Sequence, residues 1–485
     1  MKRIIFTLNI ITLVLIFTAC SSSSPRQSTK SALSAFLSNN ELVVGFGSVD
    51  LKALLTKSDY KSIPKIGILL GGEMTVLEKL INFDAPVYYA LEGPIDFDGA
   101  PTATYAFFNV KSKDSLIAEL TQRGFDVNTK KELHYCSDGD VSIGIKGTLA
   151  IVASINNTIS DQLEFDTEKL LTKTFKKAEG NTSGGKIDEI LADEGDVVIA
   201  MNMTNMLTGS DLLPLSQEKQ LKLETLVKDS YIQTIMNFED GAGIIETRNY
   251  FSKELSDYMF FNSDKKAPII AKLGRGTPQF GFSMNLDLRK MQDLVNEFSP
   301  DAVSELGKMI GGPAQFALMT AGNDGFAGLF NGQFGFVVVG EPDMMKETIP
   351  DFNLHLGLEK NGKHLGNLIR NLMSYGSAEV TLNDEGLSAS TNTVYTSLGS
   401  SSLNLPNGCE HFGQSGINAF LNLEGVNLDD LSLEDEATIL KVVKYITFEY
   451  DENGGRLYIK AKHGQENVLK QGLQVLIDEF SFRVN

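Results

Sequence analysis

The sequence predicts an α+β fold arranged as two similar tandem lobes, each a largely antiparallel sheet packed by helices. Three observations carry that expectation. Short β-rich arms meet at turn dipeptides along the chain, apolar stripes of helical period separate them, and five landmarks recur in the same order roughly 210 to 250 residues later. With 485 residues, 42% of them hydrophobic and 22% charged, the chain has ample material for buried cores.

The N-terminus is an address. Lys2 and Arg3 precede a mostly apolar run from Ile4 to Ala19, which is short for a membrane span and suited to a secretory signal over residues 1–19. The run ends in Phe17-Thr18-Ala19-Cys20, followed by Ser21 to Ser24. Small residues before a Cys at that place resemble the lipobox of bacterial lipoproteins, and the resemblance implies that Cys20 becomes the acylated N-terminus. Cys20 is thus the expected lipidation site, and the membrane is the expected partner through that anchor. Residues 20–40, rich in Ser and containing Pro25 and Gln27, read as a flexible tether. Folded sequence is expected from Glu41 onward.

The first lobe is expected over residues 41–275 and the second, its tandem duplicate, over 276–485. Val44-Gly-Phe-Gly-Ser-Val-Asp50-Leu51 runs from strand into helix, and Phe280-Gly-Phe-Ser-Met-Asn-Leu-Asp287-Leu288 repeats the pattern. Ala85 to Gly93 and Tyr105 to Val110 pair with Pro313 to Met319 and Phe334 to Val339. Hairpin turns follow at Asp138-Gly139 and at Asn383 to Gly386. A further strand-to-helix unit, Val197 to Met206, is matched by Ile417 to Glu424. The last hairpins turn at Asp240-Gly241 and Asn453-Gly454. The crossing lies between Asp264 and Gln279.

Helices are expected over Ser112 to Arg123 (Leu116, Ile117 and Leu120 on one face, Gly124 as stop), Asp287 to Phe298, and Gln465 to Phe480 (Leu469, Leu473, Leu476 and Phe480). Ser299-Pro300 looks like a fresh helix start. These stripes are read as core faces. Ala103 to Val110 and Phe334 to Val339 are nearly all apolar, so both of their faces should be covered. Ile244 to Tyr250 and Leu387 to Asn392 alternate and should meet solvent on one side.

The chemistry is sparse. No phosphate-binding loop is present, and Gly45-Phe-Gly47 reads as close packing at the start of a strand. No nucleophile elbow occurs, and the five histidines, His134, His355, His364, His411 and His463, adjoin no candidate nucleophile. His134-Tyr-Cys136 and Cys409-Glu-His411 place pairs at i, i+2, the spacing that would aim both side chains from one face of a strand at a zinc ion. A Cys136–Cys409 disulfide and independent thiols are the other readings. Asp96-Phe-Asp98-Gly99 lacks a Glu at the twelfth position, which is Phe107, and reads as a turn rather than a calcium loop. No cofactor and no metal are expected. The formal charge of −19 becomes more acidic once Lys2 and Arg3 leave, and no basic block accompanies aromatic residues, so nucleic acid is excluded as a partner.

The lipobox at Cys20, the Ser-rich stretch, the opening Val44-Gly-Phe-Gly-Ser-Val-Asp50-Leu51-Lys-Ala-Leu-Leu55 and the repeated halves together resemble lipoproteins of unknown function from Bacteroidota. That resemblance implies an envelope location and a two-lobed α+β fold and brings no catalytic residues. Because Ser21 to Ser24 and Pro25, not acids, follow Cys20, it implies an outer-membrane lipoprotein facing the periplasm. The expected role is non-enzymatic binding or scaffolding with a protein or glycan ligand. An envelope hydrolase acting on glycans or peptides is the alternative. Cys20→Ala is expected to release the chain from the membrane fraction and to abolish incorporation of labelled palmitate. Retention of the variant in the membrane would show that the anchor lies elsewhere.

Overall fold

The computed structural model describes residues 29–95, 99–156, 166–182, 184–208, 216–261, 269–298, 322–339, 351–373, 378–391, 402–407, 409, 412–414, 416–424, 426 and 435–482. It is an α+β fold dominated by antiparallel strand pairing. Contacts divide the chain into two compact units, one of residues 1–239, 250–252 and 467–485, the other of 240–249 and 253–466. These bounds differ from the expected lobes at 41–275 and 276–485.

The first unit starts earlier than expected. Helix α1 (Thr29–Ser38) occupies the C-terminal half of the stretch read as a tether, and Ala32, Leu33 and Phe36 are at most 1% exposed. The Phe36 ring lies 4.9 Å from that of Tyr105 and 5.3 Å from that of Phe107. Small Ser and Ala side chains let the helix sit close to the sheet, and Asn39 ends it by donating from Nδ2 to the Ala35 carbonyl at 2.6 Å. Composition alone hid three apolar residues, Leu33, Phe36 and Leu37, on one helical face.

Next come β1 (Val43–Val49), α2 (Leu51–Ser58), α3 (Pro64–Glu78), β2 (Val87–Ile95), β3 (Pro101–Asn109), α4 (Lys113–Gln122), β4 (Asn128–Lys130), β5 (Leu133–Asp138), β6 (Val141–Lys146) and β7 (Leu149–Ile155). Helices α5 (Thr167–Ala178) and α6 (Lys186–Ile190), strand β8 (Val197–Asn202), helices α7 (Met203–Thr208) and α8 (Gln217–Val227), and β9 (Tyr231–Glu239) complete the run. The strands pair antiparallel in the order β9-β8-β1-β2-β3-β7-β6-β5-β4.

On one face, Phe36 of α1 and Leu171 and Phe175 of α5 pack with Phe46, Tyr105, Phe107 and Ile151. On the other, Leu116 and Leu120 of α4 pack with Ala106, Phe108, Ile143 and Val152. Strand β3 is therefore covered on both faces, as its apolar run predicts. Helix α4 is also as read: Ser112 caps it by accepting from the Ser115 N–H at 3.2 Å, and Gly124 follows with φ 92°. Gly47 supports the close-packing reading of Gly45-Phe-Gly47. A Cβ there would lie 1.9 Å from the Val198 carbonyl oxygen, to which Tyr89 donates from its hydroxyl at 3.0 Å.

The second unit contains β10 (Ala242–Tyr250, of which Tyr250 counts with the first unit), α9 (Lys253–Asp257), β11 (Arg275–Gly276), β12 (Pro278–Asn285), α10 (Leu288–Phe298), β13 (Phe330–Val339), β14 (Phe352–Leu358), α11 (Lys363–Met373), β15 (Glu379–Asn383), β16 (Gly386–Ser390), β17 (Ser402–Leu403), β18 (Ile417–Asn422), β19 (Val443–Asp451) and β20 (Gly454–Ala461). The order is β10-β20-β19-β18-β12-β13-β14-β16-β15, antiparallel throughout, with β11 and β17 forming a separate parallel pair.

Both units contain one shared pairing order: β9-β8-β1-β2-β3-β7-β6 in the first corresponds, strand by strand along the chain, to β19-β18-β12-β13-β14-β16-β15 in the second. By that order β13 stands where β2 does, so Phe334 to Val339 does not correspond to Tyr105 to Val110. Pro313 to Met319 lies outside the described residues. The turns at Asp138-Gly139, Asn383 to Gly386 and Asn453-Gly454 close the hairpins β5–β6, β15–β16 and β19–β20, and Asp240-Gly241 separates β9 from β10.

Several burial expectations fail in this unit. Strand β13 buries Gln333, Gly335, Val337 and Val339 but leaves Phe334, Phe336 and Val338 half-exposed, so only one face is closed. Strand β16 is the reverse: Leu387, Ala389 and Ser390 are buried where solvent was expected on one side, because β16 lies between β14 and β15 with α11 above it. In β10, residues 244–247 are half-buried on both faces. Helix α10 keeps Leu288, Met291, Leu294 and Phe298 half-exposed and buries only Gln292. Ser299-Pro300 lies outside the described residues.

The last helix, α12 (Val468–Phe482), belongs to the first unit, not to the second lobe, and packs on α2 and β9. Asn467 directs it there, donating from Nδ2 to the Phe238 carbonyl at 2.8 Å, and Lys470 pairs with Asp59 at 3.0 Å. Among its described side chains Gln471 is buried, as is Gly472, while Leu476 is 41% exposed. Phe36→Ala is expected to lower the stability of the first unit by about 3–5 kcal/mol in urea unfolding, where a tether residue would change nothing.

Candidate functional site

The sheet of the second unit has two chemically different faces. Directly paired residues share a face, so one row runs Glu246, Arg456, Glu449, Asn418, Ser283, Gly335, His355, Ser388, Thr381 across nine strands. The neighbouring row reads Ile244, Tyr458, Thr447, Phe420, Gly281, Val337, Asn353, Ser390, Glu379. The opposite face is apolar: Phe280 lies 6.2 Å from Phe336, Phe282 lies 6.0 Å from Phe334, and Phe336 lies 5.8 Å from Phe352.

The polar face is closed over its middle. Ser283 is fully buried, His355 and Asn418 are 2% exposed, and Asn353 is 3% exposed. A cluster of Ile269, Leu273, Cys409, Phe412 and Phe420 covers it. A Cβ on Gly335 would lie 2.5 Å from Ile269, and one on Gly281 would lie 2.3 Å from the Phe420 ring, so bare backbone is what lets the cover sit down. Under it, Ser283 Oγ, Asn353 Nδ2 and His355 Nε2 have no hydrogen-bond partner among the described residues. His355 Nδ1 shares a 3.0 Å hydrogen bond with Ser388 Oγ. Burial, and secondarily the charge of Lys272, push the His355 imidazole down to about 4, so it is neutral at pH 7.

At the β18–β20 end the same face opens into a cleft of about 240 Å³. Phe412 and Phe420, in edge contact at 5.0 Å, line it beside Cys409. Tyr445 and Tyr458 contribute a pair of tilted rings 6.0 Å apart. Asn418, Thr447, Glu449 and Arg456 supply the polar groups, and the Arg456 guanidinium stands 5.6 Å over the Tyr458 ring. Strand alternation places these side chains together: 418 and 420, 445, 447 and 449, and 456 and 458 are same-face positions on three adjacent strands.

The residues singled out from the sequence are dispersed. Cys20 and His411 lie outside the described residues, as do Asp96, Phe97 and Asp98. His134 and Cys136 share a face of β5 as expected, with Cys136 2% exposed against α4 and its thiol pushed up to about 11 by burial. His134 Nδ1 lies 3.0 Å from Thr129 Oγ1. Neither Cys136 nor Cys409 is in a disulfide, which settles one of the open readings, and Cys409 lines the cleft. Phe107, the twelfth position of the calcium-like stretch, is a core residue of β3. His364 and His463 are exposed.

Among the described residues no group of three or more His, Cys, Asp or Glu side chains is placed to hold a metal ion, and no helix is long and apolar enough to cross a membrane. The Ser388–His355 contact is a serine–imidazole pair that the sequence pattern does not reveal. It sits under the cover with Nε2 unpartnered among the described residues, so it reads as a buried structural pair. The cleft residues escape sequence reading too. Their signal is a period-2 alternation in β18 to β20, which ordinarily marks a solvated face.

The lowered His355 pKa makes stability depend on pH in a defined direction. Below pH 6.5 the unfolded chain takes up a proton that folded His355 refuses until about pH 4, so stability falls as pH drops through that window. The total loss is about 3 kcal/mol, because each tenfold difference in proton affinity between the two states is worth about 1.4 kcal/mol. His355→Gln is expected to flatten that part of the profile in urea unfolding at pH 7, 5.5 and 4.5, and an unchanged slope would rule the assignment out.

No family model matches the chain, and no curated protein matches it. Among solved structures, crystal form I of TP0453 aligns with a TM-score of 0.27 at 9% identity, covering 48% of this chain and 80% of that one. Crystal form IV of TP0453 aligns with a TM-score of 0.26 at 10% identity, covering 43% and 77%. At these values neither fold nor function is transferred.

Proposed function

We propose that this chain is a lipid-anchored binding protein of a bacterial cell envelope, held by acylated Cys20 and taking a small ligand in the cleft of its second unit. The cleft is the observation that carries the reading. Binding sites are concave, mostly apolar and furnished with a few converging polar groups, and Phe412, Phe420, Tyr445 and Tyr458 with Asn418, Thr447, Glu449 and Arg456 have that composition.

The signal-like leader, the lipobox and the likeness to Bacteroidota lipoproteins support the envelope address, and the Ser residues after Cys20 support an outer-membrane lipoprotein facing the periplasm. The shared strand order of the two units supports tandem duplication as their origin.

The sequence contains no Trp, so Tyr445→Trp places a single indole fluorophore in the cleft wall. Titrating that variant with the low-molecular-mass fraction of an envelope digest is expected to shift its emission saturably. Thr447→Trp, which fills the cleft, is expected to remove the thermal stabilisation that the same fraction confers on the native chain. An emission that never moves would defeat the reading. Consumption of a component, followed by mass spectrometry, would replace binding with catalysis.

A further inference from the structure

We infer that the cleft is a saccharide subsite that takes one neutral, hydroxyl-rich six-membered ring, with Tyr458 as the stacking platform and Glu449, Arg456 and Asn418 as the groups that read its hydroxyls. This rests on the binding reading above and names its ligand class.

The charge of the cleft is balanced in kind. Glu449 and Arg456 are direct cross-strand partners, so the cleft carries one charged group of each sign. Arg456 is also engaged by Glu246, whose carboxylate lies 3.9 Å from its Nε, so it is not a lone cation for an anionic ligand. The other polar groups, Asn418, Thr447 and the two tyrosine hydroxyls, are uncharged.

A sugar ring has an apolar, slightly positive C–H face and an equatorial belt of hydroxyls. The C–H face suits the negative face of an aromatic ring. The hydroxyls suit planar side chains with fixed forks of donors and acceptors, which Asn, Glu and Arg provide. Tyr458 carries the platform, Arg456 is held 5.6 Å over that ring, and Glu449 and Asn418 continue the same row. A cleft of about 240 Å³ has room for one such ring.

Beyond Asn418 the row proceeds to Ser283 and His355, whose Oγ and Nε2 are buried with no hydrogen-bond partner among the described residues. The middle of this face therefore carries neutral hydrogen-bonding groups, where the matching face of the first unit is filled by Phe46, Tyr105 and Phe107.

The test is calorimetric titration of the full mature chain with neutral tetrasaccharides of glucose, galactose, mannose and N-acetylglucosamine, alongside phenylalanine, leucine and a tetrapeptide. At least one saccharide is expected to bind and to shift the Tyr445→Trp emission. Tyr458→Ala is expected to weaken it at least tenfold. Glu449→Gln keeps the volume of a half-buried side chain and is the second variant should Tyr458→Ala not fold; it is expected to weaken binding about tenfold as well. A ligand lacking one ring hydroxyl should bind far less well, because a site built to hydrogen-bond a hydroxyl rejects its absence. Saccharide binding unaffected by both variants would overturn the assignment. So would amino acids or peptides moving the reporter while no saccharide does, which would leave the binding reading standing. A reporter that nothing moves, the envelope digest included, would overturn both.

Discussion

In each unit an aromatic side chain lies across a glycine of the first central strand, and the rest of the layer follows from that contact. Tyr89 crosses Gly47 and reaches the Val198 carbonyl at 3.0 Å, tying β2 to β8 over β1. Phe420 lies on Gly281, where a Cβ would come within 2.3 Å of its ring, and Phe412 meets Phe420 edge-on at 5.0 Å. A side chain at either glycine would lift the ring off the sheet. At Gly281 that lift would remove the floor of the cleft, so a backbone requirement in β12 and the shape of the cleft on β18 to β20 are one constraint.

The two units spend their equivalent faces differently. In the first, the segment before the leading strand is helix α1, and it buries Leu33 and Phe36 on apolar neighbours. In the second, the segment before the leading strand is the turn Ile269–Lys272, which lies with Leu273 over Ser, Asn, Gln and His side chains. Burying such groups unsatisfied costs about 1–3 kcal/mol each, whereas burying Phe36 stabilises by a similar amount. Three polar atoms on one face without a partner among the described residues are therefore a local destabilisation held by the surrounding strands. Rules of packing are broken most often where a protein does something other than fold.

The legible parts of the sequence were those where local chemistry decides. Asp138-Gly139 and Asn453-Gly454 made hairpins because turn geometry is set within a few residues, and Ser112 with Gly124 bounded α4 for the same reason. Strand β3 was legible because helices cover its apolar run on both faces, whereas the like run in β13 is closed on one face only. Helix α1 was not, since a Ser-rich composition masked three well-spaced apolar residues. Helix α12 was misassigned because its docking depends on Asn467 meeting Phe238, more than 200 positions away in sequence. The cleft was hidden most deeply. Polar alternation in β18 to β20 looks the same whether the polar side meets water or a cover, and only the placement of Phe412 decides between them.

The acidity of the chain bears on the ligand as well. A formal charge of −19 repels anions at range, although screening confines the effect to about 8–10 Å at physiological ionic strength. The same field would draw cations to every acidic patch alike, which gives no selectivity at one cleft. A neutral ligand feels neither effect, so its discrimination has to come from shape and hydrogen bonding alone. The Glu449–Arg456 juxtaposition fits that requirement: one charge of each sign stands on adjacent strands, and each side chain brings a planar fork of donors or acceptors.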